Sequence, residues 1–220
     1  MEVGGSFRYY LAELIDQSTL DTRARIVEAA RTLFFAKGYN ATGIAEILRE
    51  AGANSGSLYY FFPTKEDLLR AVLEQYKQML EPFVLSPAFE RVADPIERIF
   101  AILDGYRRLM EATGFDLGCP IGNISLEVAN VKPQLRGLLA ENFSAWREAV
   151  ESLIREAAGR LPAGTDPRSL AWQILATMEG AVLLARAYRS FEPFDAAVDA
   201  LRSQFDQLLE RGSTWGTPDI

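Results

Sequence analysis

The sequence predicts an all-α protein, and three observations carry that prediction. Apolar residues recur with a period near 3.6 in nearly every segment between Gly and Pro breaks. Ser, Thr, Asp or Pro stands where several of those segments begin. No convincing hairpin signal occurs; Asp104-Gly105 is a turn dipeptide, but it lies inside a helical pattern and reads as helix. The chain has 220 residues, 49% of them hydrophobic, which is enough for one large or two small domains with real cores.

The first helix carries Ile26, Ala29, Ala30, Leu33 and Phe34 on one face, and Gly38 stops it. Thr42 is expected to cap a short second helix whose inner face is Ile44, Ile47, Leu48 and Ala51. Gly52-Ala53-Asn54 breaks the chain, and a third helix runs from Ser55 to just before Pro63. Thr64 caps a fourth, with Glu66 and Asp67 in its first turn, where acids favour the helix dipole. Leu68, Leu69, Val72, Leu73 and Tyr76 give it one apolar stripe, and Pro82 limits it. Beyond Pro82, "SPAFERVAD" reads as a short helix and 95–112 as a long one. "TGFDLGCPIGN" reads as a Gly-rich loop before a helix over 123–131. Three long helices follow, over 133–158, 167–188 and 193–211. The first of the last two is apolar nearly all round, so one face needs cover from outside its own core. A two-fold dimer through these two helices is expected, with Gly180, Ala181 and Ala185 small enough for close approach.

Charge and composition narrow the function. Net charge is −7, yet residues 22–70 hold seven basic against five acidic side chains, so a polyanion would be met by that segment alone. The absence of histidine removes Ser-His and Cys-His catalysis and His-based metal sites. One cysteine allows no intrachain disulfide, which fits a reducing, cytoplasmic setting. The N-terminus lacks a basic stretch followed by a continuous apolar one, so no secretory signal is read there. Residues 169–185 approach membrane-span length, but Gln173, Thr177, Glu179 and Gly180 make a buried helix the better reading. No enzyme activity, metal or cofactor is expected.

The stretch "GANSGSLYYFFPTKEDLL" is the informative one. At 100° per residue, Leu58, Phe61 and Phe62 fall on one side of a helix and Gly56, Tyr59 and Tyr60 on the other. Two aromatics are therefore expected in the core and two at a partner. A short helix, a tight turn holding Gly and a second short helix form the helix-turn-helix pattern, whose second helix enters the DNA major groove N-terminus first. Small residues there let backbone approach DNA, and tyrosines reach phosphates, base edges or thymine methyls. Lys65 opposes the dipole of its own helix, which suits a phosphate contact.

The segment 42–69, "TGIAEILREAGANSGSLYYFFPTKEDLL", resembles the signature of the TetR family of bacterial one-component regulators, and "RARIVEAARTLFFAKGYNAT" is similar to that family's first helix. The resemblance covers roughly residues 22–70; elsewhere it extends to helix layout and to "GCPIGN". It implies an N-terminal three-helix DNA-binding domain and a C-terminal helical domain for ligand binding and dimerisation. The implied organisation is an extension over 1–21, the reading domain over 22–70, the regulatory domain over 71–212 and a tail over 213–220. The extension reads either as an extra helix, "RYYLAELIDQ", or as an unstructured segment. The implied contacts with double-stranded DNA are Thr42, Ser55, Gly56, Ser57, Tyr59, Tyr60 and Lys65. Many members carry lysine at the position of Ser55 and one or two histidines at those of Tyr60 and Phe61; this sequence departs from both, so the resemblance does not fix the base preference. The implied function is a repressor that binds a palindromic operator as a homodimer and is released by a small molecule.

For an apolar or aromatic effector, the regulatory half offers Phe100, Tyr106, Cys119, Asn123, Phe143, Trp146, Trp172 and Glu179 as candidate ligand residues, each of which has ordinary core packing as its alternative. Cys119 reads either as a small buried turn residue or as an electrophile or oxidant sensor. A rival class remains: a helical small-molecule-binding, transport or enzymatic protein with a fortuitous helix-turn-helix.

Overall fold

The computed structural model describes residues 21–90 and 92–214, helical throughout with no strand among them. The expected helix "RYYLAELIDQ" and residues 215–220 of the tail lie outside the described residues. Helices run α1 (Thr22–Lys37), α2 (Ile44–Ala51), α3 (Ser55–Phe61), α4 (Lys65–Leu80), α5 (Ser86–Phe89), α6 (Pro95–Ala112), α7 (Pro120–Val128), α8 (Arg136–Glu156), α9 (Pro167–Tyr188) and α10 (Glu192–Thr214). The described residues divide into two compact units, one within 21–78 and 110–142, the other within 79–109 and 143–214.

In the first unit, Ile26, Ala30 and Phe34 of α1 are buried, as are Ile47 of α2, Leu58 of α3 and Leu68, Leu69, Val72 and Leu73 of α4. Asp21 caps α1 by accepting the Ala24 N–H at 2.7 Å. α2 closes on Gly52, whose left-handed backbone (φ 57) turns the chain toward α3. Thr64 and Asp67 open α4 with a reciprocal box: Asp67 N–H donates to Thr64 Oγ1 at 3.1 Å, and Thr64 N–H to Asp67 Oδ2 at 3.0 Å. A buried polar joint links α1 to α4. Glu28 and Arg31 form an ion pair inside, with Arg31 Nε donating at 3.0 Å. Gln75 Nε2 donates to Glu28 at 3.2 Å, and the Tyr76 hydroxyl donates to the Arg31 carbonyl at 3.4 Å. Burial pushes the Tyr76 phenol well above its ordinary value.

In the second unit, Ile99 and Leu103 of α6, Val150 and Ile154 of α8, Ile174 and Met178 of α9, and Phe194, Leu201 and Phe205 of α10 are buried. Two bidentate ion pairs stitch α6 to α10: Arg107 to Asp195 at 2.8 and 3.1 Å, and Arg202 to Glu97 at 2.8 and 3.1 Å.

Three boundaries differ from expectation. Pro82 does not halt the helical path, because a π-turn over Glu81–Leu85 absorbs it and runs into α5. α7 starts at Pro120, inside the expected loop, and ends at Val128. Pro120 suits a first helical position and Cys119 Sγ takes the cap role, accepting the Gly122 N–H at 3.4 Å. Thr42 does not cap α2; Gly43 stands at the cap with no side-chain bond. Glu28→Ala is expected to cost about 3–5 kcal/mol, because it strands a buried guanidinium. Urea unfolding checks this, and Glu28→Leu paired with Arg31→Leu should cost much less.

Candidate nucleic-acid interface

α3 has seven residues, and its N-terminus is fixed by Asn54, whose side chain accepts the Ser57 N–H at 2.8 Å. Ser55 and Gly56 are exposed and Ser57 is half-buried, so this end of the helix is bare of bulk. Tyr59 is 52% exposed and Tyr60 81%. Gly56, Tyr59 and Tyr60 thus form an open face, as the helical spacing predicts. Phe61 departs from expectation: it is 37% exposed and meets Tyr60 edge to face with centroids 5.0 Å apart. The expectation assumed that helix continues through Phe62. The chain instead leaves the helix there (φ −136, ψ 89), so Phe62 alone turns inward, with the Arg23 guanidinium 5.2 Å from its ring centroid.

The two flanking candidates are turned inward. Thr42 is 1% exposed, and its hydroxyl donates to the Gly38 carbonyl at 2.8 Å and the Leu33 carbonyl at 3.3 Å. Lys65 donates to the Tyr39 carbonyl at 2.5 Å and lies over the Tyr39 ring, 4.4 Å from its centroid. Burial draws the Lys65 ammonium below its ordinary value, against the opposing pull of Glu127. The positive charge left outside belongs largely to other residues. Lys37 pairs with Glu46, while the Arg49 side chain is 78% exposed at the end of α2. Sequence reasoning missed the roles of Phe61, Tyr39 and Glu127. The spacing from residue 39 to residue 127 leaves no local signal for that contact.

The eight candidate ligand residues fall into both units: Cys119 and Asn123 in the first, the other six in the second. Phe100 and Trp146 are buried, Tyr106 and Phe143 half-buried, and Trp172 is 43% exposed. Phe100 packs edge to face on Phe205, with the Arg202 guanidinium 3.8 Å from its ring centroid. Trp172 lies under Arg147 at 5.5 Å. Trp146 Nε1 is buried with no hydrogen-bond partner among the described residues. Cys119 is buried.

The family profile "Bacterial regulatory proteins, tetR family" matches residues 26–72, and "Tetracyclin repressor-like, C-terminal domain" matches 95–201. An uncharacterized HTH-type transcriptional regulator of Mycobacterium tuberculosis is 30% identical over 186 residues, covering 82% of this chain and 92% of that protein. The chain belongs to the TetR family. It is a helix-turn-helix transcriptional regulator, and α2 and α3 are the helices of that motif. Among other relatives, the HTH-type transcriptional repressor DhaR of Mycobacterium sp. is 27% identical over 189 residues, covering 85% of this chain and 92% of its own. A TetR transcriptional regulator structure from Chloroflexus aurantiacus superposes with a TM-score of 0.73 at 31% identity, covering 84% of this chain and 94% of that one. No helix among the described residues is long and apolar enough to cross a membrane. In this TetR-family head, Asn54→Ala is expected to cost about 1 kcal/mol in urea unfolding, the usual worth of an N-cap, and to loosen the start of α3.

Proposed function

We propose that this regulator is a cytoplasmic repressor that binds a palindromic duplex as a two-fold homodimer and is released by a small apolar or aromatic effector. The observation that carries the DNA reading is α3 itself: a bare, capped N-terminus followed by Tyr59 and Tyr60, both largely exposed, with Tyr60 braced edge to face by the neighbouring Phe61. Ser55, Gly56 and Ser57 allow close backbone approach, and the two tyrosines reach phosphates and base edges. Thr42 contributes through the backbone that its buried hydroxyl fixes. Lys65 reaches phosphate by exchanging the Tyr39 carbonyl for it. The proposed reading domain is 22–70 and the proposed regulatory domain 71–212. The effector reading draws on Phe100, Tyr106, Phe143, Trp146, Trp172 and Glu179 of the second unit, with Cys119 and Asn123 of the first kept as separate candidates, and the unpaired Trp146 Nε1 favours an effector bearing an acceptor.

The dimer reading rests on α9. Ala176, Leu183, Leu184, Ala187 and Tyr188 are exposed along one face, Leu183 by 53% and Leu184 by 47%. Gly180 lies on that face, whereas Ala181 and Ala185 point inward, which corrects the expectation that they supply the close approach. Gln173 and Gln204 bind each other reciprocally at 2.7 and 3.2 Å, joining α9 to α10 beside this face.

Mobility shifts on duplexes selected by the protein from a randomised library test the DNA reading. Retardation should weaken steeply with salt, because phosphate contacts release counterions. Lys65→Ala should weaken all sequences alike and lower the salt slope by about one, whereas Tyr60→Ala should change which sequence is selected. Failure to retard any duplex at low salt would sink the reading. Leu184→Glu should give a monomer in sedimentation at micromolar protein and weaken DNA binding with it; a dimer that persists would remove the α9 interface.

A further inference from the structure

The turn between α1 and α2 is held from two sides. On one side stands Glu127 of α7, whose carboxylate accepts the Tyr39 N–H at 3.1 Å on one oxygen and the Asn40 N–H at 2.8 Å on the other. On the other side stands Lys65 of α4, donating to the Tyr39 carbonyl. Gly38 makes room for this arrangement. Its backbone is left-handed (φ 89), and a Cβ there would collide with the Glu127 carboxylate. The same stretch of chain grips the first turn of α4 as well, with Lys132 Nζ 3.2 Å and Gln134 Nε2 2.6 Å from the Glu66 carboxylate.

The Glu127 bridge is made to the turn and not to α3, yet it bears on the surface that faces DNA. The turn 38–42 delivers the chain into α2, and Lys65 follows α3 by a short linker. We propose that Glu127 is a positioning residue for DNA recognition: its bridging carboxylate fixes the 38–42 turn, and with it the placement of the helix-turn-helix. This rests on the DNA-binding reading above. Two bonds to a charged acceptor hold the turn more firmly than neutral ones would. Loss of the bridge frees the turn, so the bases suffer more than the phosphates, since base contacts demand placement and phosphate contacts tolerate error.

Glu127→Asp separates reach from charge: it keeps the carboxylate and withdraws it by one methylene. Hydrogen exchange of peptides spanning 38–42 and affinity for two duplexes are measured on the full chain. One duplex is selected by the wild type from a randomised library; the other is its scrambled sequence. Glu127→Asp and Glu127→Ala should both speed Tyr39 and Asn40 exchange about tenfold or more, with the thermal midpoint little changed. Both should weaken the selected duplex about tenfold while the scrambled one stays within about twofold. If Glu127→Ala does not fold, Glu127→Asp carries the test alone. Faster exchange with an unchanged ratio between the two duplexes overturns the proposal, because Glu127 is then a stabilising contact only. Equal loss on both duplexes also overturns it. A wild type that selects no duplex removes the DNA reading and this inference together.

Discussion

Two apolar anchors, Leu58 and Phe62, carry the reading surface. A helix of seven residues does not persist in water by its own hydrogen bonds, since nucleation is costly and there is little propagation to offset it. Leu58 is 0% and Phe62 3% exposed, so α3 exists because its one inward side chain and its C-terminal neighbour are fixed in the head. Asn54 satisfies the opposite end. Once those points are set, the intervening residues have no freedom. Tyr59, Tyr60 and Phe61 are directed outward by the same geometry that buries Leu58, and their exposure follows from anchoring as much as from any property of the rings.

The head's remaining rigidity is polar. Glu28, Arg31, Gln75 and Tyr76 join α1 to α4 through bonds that run in fixed directions, where an apolar contact would allow sliding. A buried ion pair is a weak source of stability, but it penalises every arrangement that separates the partners. The angle between the first and fourth helices is thus held by chemistry that accepts one geometry. The second unit uses the same logic at its surface, where two bidentate arginine pairs fix α6 against α10.

Much of this was legible in the sequence. The stripes of α1, α4 and α10 show their period plainly, and the Gly52 turn and the Thr64 cap rest on local chemistry that a few residues contain. The exposure of the tyrosine pair was legible because helical spacing sets Tyr59 and Tyr60 with Gly56, on the side opposite Leu58. Other features were not. The fate of Phe61 depends on where α3 ends, a matter of one residue. Thr42 looked like a cap because hydroxyls usually serve as caps, and only the position of the Leu33 and Gly38 carbonyls explains why it turns inward. The start of α7 escaped because a cysteine sulfur is a weak acceptor seldom counted among capping groups. The Glu127 bridge joins distant segments, and nothing in either segment signals the other.

Gly38 now has a second meaning. Its left-handed backbone would by itself favour glycine, but the space above its Cα is also occupied by another residue's carboxylate. A side chain there would strain the backbone and also displace the Glu127 carboxylate from its bridge. A larger residue at 38 would therefore disturb the bridge as well as the turn, whereas loss of the Glu127 carboxylate would leave the backbone's demand for glycine in place. Residue 38 is glycine first for its own backbone and second for the carboxylate that stands above it.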